Sequence, residues 1–105
     1  MAGFKLDVRA RLSIELALTA GRGDPIFVQQ QEKDAKALGM TGAEIDMARK
    51  GSSFDFQLSR AIAVALEPTA KHRERASKAG IDAQTYADIE KLVVSYRDQS
   101  LLRSA

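Results

Sequence analysis

Apolar residues along this chain recur at helical spacing, and nowhere do they alternate with polar ones as in a half-buried strand. Glycine and proline divide the pattern into about six segments with short connections, so the expected fold class is all-α, a compact bundle of about six helices in one domain. The first helix runs from an Asp7 cap through Ala20 and stops at Gly21-Arg22-Gly23. Asp24-Pro25 opens the second, with proline in the first turn where its missing N–H costs nothing, and Gly39 ends it. Thr41 followed by Glu44 has the spacing of a capping box and opens a short third helix that reaches Lys50 and closes at Gly51.

Ser53 is the expected cap of the fourth helix, which buries a stripe of Phe54, Leu58, Ala61, Ile62 and Ala65. A charged fifth helix spans Pro68 to Ala79 and stops at Gly80. Asp82 caps the sixth, where Tyr86, Ile89, Val93 and Tyr96 form a core stripe. The stretch from Arg97 to Ala105 keeps Leu101 and Leu102, which either extend that helix or dock on a neighbouring subunit. The runs GMTGAEI (39–45) and GIDAQTY (80–86) share a glycine, an apolar residue and a cap in the same order, a recurring helix start. The first helix is apolar in most directions, through Val8, Ala10, Leu12, Ile14, Leu16, Ala17 and Leu18, and is the expected central helix.

Composition narrows the chemistry. The 105 residues include no cysteine and one histidine, which excludes thiolate nucleophiles, dithiol redox chemistry and thiolate metal sites. No metal or cofactor is expected. Sixteen basic against fourteen acidic residues leave little net charge, and the basic run Lys71-His72-Arg73-Glu74-Arg75 is interrupted by acids, as on a solvated helix face. Nucleic acid is not an expected partner. The apolar stretch Leu12–Ala20 contains Ser13, Glu15 and Thr19 and is too short to span a bilayer, so no membrane partner is expected and a cytoplasmic protein is.

Glu15 falls between the directions of Val8 and Leu18. Burial there raises a carboxyl pKa and suits a general acid or base, while an ion pair with Arg11 one turn earlier is the structural alternative. Gln31 sits in the stripe Phe27, Gln31, Ala35, Leu38, where a buried amide either lines a pocket or bonds to Glu15 or a backbone carbonyl. His72 can titrate near neutrality but has no carboxylate or serine partner identifiable by spacing. Arg22 stands beside the start of the second helix, where an anion is favoured but Asp24 already occupies the site.

Three segments, LDVRARLSIELALTAGRGD (6–24), AKALGMTGAEIDMARKG (35–51) and FDFQLSRAIAVALE (54–67), together resemble the alkylhydroperoxidase D-like and carboxymuconolactone decarboxylase superfamily. In that family an apolar helix leads to a CxxCxxxH motif at the start of the next, which runs into an A-x-x-x-G turn and a T-x-x-E-I cap. Counted back from Gly39, the two family cysteines fall on Asp24 and Phe27, and the histidine on Gln31. The peroxidase-branch glutamate falls on Leu12, next to a matching Arg11, with Glu15 one turn away. Without thiolate, resolving thiol or relay base, thiol peroxidase activity is excluded. The resemblance implies an AhpD-like helical protomer assembled into a symmetric homo-oligomer, commonly a trimer or hexamer.

Three functional classes follow. One is a redox-inactive protein whose pocket, lined by Phe27, Gln31 and Glu15, binds a small organic molecule. Another is a cofactor-free lyase or isomerase in which Glu15 or His72 exchanges a proton and Arg11 or Arg22 holds an acidic substrate. The third is a structural or protein-interaction module with an exposed apolar patch at Leu101 and Leu102.

Overall fold

The computed structural model describes residues 4–20 and 25–104, with side chains as far as residue 96. Among these residues there are six helices and no strand: α1 Val8–Thr19, α2 Pro25–Ala37, α3 Gly42–Arg49, α4 Phe56–Leu66, α5 Ala70–Lys78 and α6 Ala83–Ser104. The chain is all-α, as the pattern requires. Its radius of gyration, 13.4 Å, is close to the ~13 Å of a compact 100-residue domain.

Local chemistry sets most of the boundaries. Asp7 accepts the Ala10 N–H and starts α1, and Asp82 accepts the Thr85 N–H at the start of α6. Thr41 and Glu44 form the full capping box of α3, which satisfies two orphan donors at once. The recurring helix start is structural: Met40 N–H donates to the Ala35 carbonyl at 3.0 Å, and Ile81 N–H to the Ala76 carbonyl at 3.1 Å. Each bond spans a glycine with positive φ, 88° at Gly39 and 100° at Gly80, and each is followed by a cap. At Gly80 a side chain is also barred by space, because a Cβ there would lie 2.8 Å from Gln57 Nε2. That same nitrogen donates to the Ala79 carbonyl at 2.8 Å, tying α4 to the α5–α6 turn.

Two helix starts differ from the sequence reading, while the ends of α1, α3 and α5 fall one residue early. The cap of α4 is Asp55, which accepts the Leu58 N–H, while Ser53 accepts the Asp55 N–H one step earlier. Two capping residues compete here, and the later one wins. Phe54 consequently lies before the helix, 67% exposed, and not on its buried stripe, which is Ala61, Ile62, Val64 and Ala65. Likewise α5 begins at Ala70, capped by Thr69, with Pro68 outside it.

The central position of α1 has a direct cause. It packs against α2, α3, α4 and α6 and feeds two separate cores from two faces. Ile14 and Ala17 join Ile62, Ala65 and Ile89 on the α4–α6 side. Leu12 and Leu16 join Ala35, Met40 and Ile45 on the α2–α3 side. Each buried isoleucine or leucine stabilises the fold by about 1.5–3 kcal/mol, so a helix apolar in most directions is held from both sides.

Candidate functional site

A third face of α1 belongs to neither core. Val8, Arg11 and Glu15 follow one another along it, a helical turn apart. On one side α2 brings up Asp34, and Leu38 follows just past its end, bounding an open cleft of about 490 Å³ whose apolar walls include Val8 and Leu12. On the other side Arg11 meets Asp88, Lys91 and Ser95 of α6 around a second groove of about 400 Å³. Arg11 lines both. The two grooves adjoin at Arg11, one walled by α2 and the other by α6, and together they make up the trench of this face.

Glu15 is the best-anchored group in it. It is half-buried, and burial pushes its carboxyl above the usual carboxylate range; the Tyr96 hydrogen bond and the Arg11 charge act the other way, while Asp34 adds to the rise. Tyr96, from the far end of α6, donates its phenolic hydrogen to Glu15. Burial and the adjacent carboxylate push that phenol up to about 12, so it stays protonated as a donor at neutral pH. The α1–α2 contact behind the trench is also fixed. Gln31 Nε2 donates to Thr19 Oγ1 at 3.0 Å, and the Thr19 hydroxyl donates to the Glu15 carbonyl at 2.8 Å.

The sequence-derived residues divide accordingly. Arg11 and Glu15 share the trench. Gln31 is buried with its amide bonded to Thr19, not to Glu15, so it serves the core and the joint between helices. Phe27 is half-buried on α2, and the cleft that Glu15 faces is walled by Arg11 and Asp34 among others. His72 does have a carboxylate neighbour, Glu67, whose Oε2 lies 3.5 Å from His72 Nε2, while its buried Nδ1 has no hydrogen-bond partner among the described residues. It stands on α5, which packs on α4, apart from the trench. Arg22 and Asp24 lie outside the described residues, as do the side chains of Leu101 and Leu102.

Tyr96, Asp34, Asp88 and Lys91 are members that sequence reasoning missed as site residues. Tyr96 fits the core stripe of its helix, and nothing in its spacing announces a polar partner from the other end of the chain. Among the described residues, no group of three or more histidines, cysteines or acids is placed to hold a metal ion. No helix there is long and apolar enough to cross a membrane. Comparison with known protein families, curated proteins and solved structures finds no match for this chain.

Proposed function

We propose that this protein is a redox-inactive, AhpD-like helical scaffold that binds a small organic molecule in the trench over α1. One observation carries the reading: a half-buried carboxylate, anchored by a protonated phenol, faces an open cleft with apolar walls and a guanidinium beside it. A carboxylate needed only for solubility would stand on the solvated side of the bundle. Small-molecule sites combine apolar lining with a few fixed polar groups, and this cleft has that composition. The lack of cysteine removes peroxide reduction by thiols from the scope of the site. The AhpD-like part of this reading rests on the sequence resemblance, carried by the ALGMTGAEI turn and the apolar segments on either side of it. Assembly into a trimer or hexamer in the cytoplasm belongs to the same proposal, since Ile26, Phe54, Phe56 and Val94 are large apolar side chains left on the surface of one protomer.

Native mass spectrometry of freshly purified protein tests this in one spectrum. A closed oligomer with a discrete extra mass supports both the scaffold and the pocket. A bare oligomer counts against a retained ligand and favours a structural or protein-interaction role, and a strict monomer counts against the assembly and the kinship.

A second reading is favoured by the raised pKa of Glu15 beside Arg11: a cofactor-free lyase or isomerase in which Glu15 takes a proton from an acidic substrate held by Arg11. Its signature is a bell-shaped pH profile that disappears in Glu15→Gln. Turnover unaffected by that substitution removes Glu15 as the base.

A further inference from the structure

The trench holds charges of opposite sign on opposite sides of Arg11. Toward α2 are the carboxylates of Glu15 and Asp34, and toward α6 are Lys91 and Asp88; Arg11 lines both, which leaves the α2 side net negative and the α6 side net positive. Among the described residues, Arg11, Lys91 and Asp34 make no ion pair within 4.0 Å, although elsewhere the protein pairs Arg9 with Glu44, Arg49 with Glu32 and Lys78 with Glu74. Asp34 accepts from the neutral amide of Gln30, at 3.0 Å, and Asp88 from that of Gln84, at 3.3 Å. The apolar surface lies between and beneath these ends, supplied by Val8, Leu12 and Leu38 on one side and Leu6 and Leu92 on the other.

Each kind of singly charged ligand suits only one of the two grooves. An anion seated in the α2-side cleft faces two carboxylates against one guanidinium. A cation seated in the α6-side groove faces two cations against Asp88. A molecule with both charges, laid across Arg11, satisfies each end and covers the apolar floor. We infer that the ligand of this trench is a small zwitterion, with an ammonium group toward Glu15 and Asp34, a carboxylate toward Arg11 and Lys91, and a short apolar body between them. This rests on the reading of the trench as a binding site and adds the class of molecule it takes. The match is electrostatic complementarity across a partly open site, which supplies specificity more than affinity.

The test is a two-dimensional ¹H–¹⁵N NMR titration of the full chain with 6-aminohexanoate, hexanoate and hexylamine as probes. The expected result is that 6-aminohexanoate shifts amides on both walls, near Asp34 and near Lys91, and binds at least fivefold tighter than either singly charged probe. Lys91→Gln is expected to lower its affinity toward that of hexylamine, and Asp34→Asn toward that of hexanoate, with Arg11 and Glu15 retaining part of each end's attraction. Both positions are exposed and outside the core, so the variants keep the fold. Equal binding of all three probes, or tighter binding of a singly charged one, overturns the zwitterion class and leaves the trench as a binding site. If no probe shifts trench amides while native spectra are also bare, the zwitterion and the binding reading fall together.

Discussion

Replacing Gly80 by alanine separates two costs that Gly39 and Gly80 only partly share. Both residues have positive φ, 88° and 100°, where a side chain costs about 1–2 kcal/mol. At Gly39 nothing lies within 4 Å of the position a Cβ would take, so Gly39→Ala is expected to cost only that backbone increment. At Gly80 the Cβ would fall 2.8 Å from Gln57 Nε2, and relief requires Gln57 to give up its bond to the Ala79 carbonyl, worth about 0.5–1.5 kcal/mol. Gly80→Ala should therefore cost about 2–3 kcal/mol, roughly 1 kcal/mol more than Gly39→Ala, equivalent to lowering Tm by roughly 8–24 °C at ~4–8 °C per kcal/mol. Urea unfolding followed by circular dichroism measures both variants at unchanged m-value. In a Gln57→Ala background the extra cost at Gly80 should vanish, giving a coupling energy of about 1 kcal/mol. Equal losses at the two glycines, or no coupling to Gln57, would refute the steric argument and leave backbone conformation as the whole effect.

Three other outcomes are expected. Because the folded state raises the Glu15 pKa above 4.5, it holds that proton more tightly than the unfolded chain; stability from this source is complete below 4.5 and is lost as pH rises through the raised value. Urea unfolding should accordingly find Glu15→Gln gaining on the wild type between pH 4 and pH 7, and a constant difference would contradict it. Glu44 has the opposite sign, since Arg9 and then the Thr41 backbone hold its carboxyl below 4.5; the cap strengthens folding above that value and weakens as pH falls through the lowered one, so the deficit of Glu44→Ala should shrink in acid. Ile62→Ala, in the fully buried stripe of α4, is expected to cost about 2–5 kcal/mol, whereas Phe54→Ser should stay within about 0.5 kcal/mol in the same assay.

The contrast between Ile62 and Phe54 indicates what could be read from the residues alone. Caps and stops are short-range chemistry: Asp7, Thr41 with Glu44, Asp82 and the glycines at 39, 51 and 80 act on backbone groups within a turn, so their roles were legible. The α4 start was not, because Ser53 and Asp55 both suit a cap and the choice shifts which residues enter the helix. Glu15 stood out as a carboxylate on an apolar helix, and Arg11 as its neighbour. Tyr96, Asp34 and the Gln31–Thr19 bond depend on how α2 and α6 settle against α1, a long-range outcome that no local spacing encodes.

The position of α1 between two cores also bears on the order of events during synthesis. It is the first of the six helices to be made, yet its Ile14 face waits for α4 and α6, and its Glu15 for Tyr96. At roughly 5–20 residues per second, that wait lasts about 4–15 s. Through it, α1 can bury only its Leu12 and Leu16 side against α2 and α3, leaving a naked apolar strip on the nascent chain. Here the helix that unifies the finished protein is the one most exposed to mispairing while the chain is still being made.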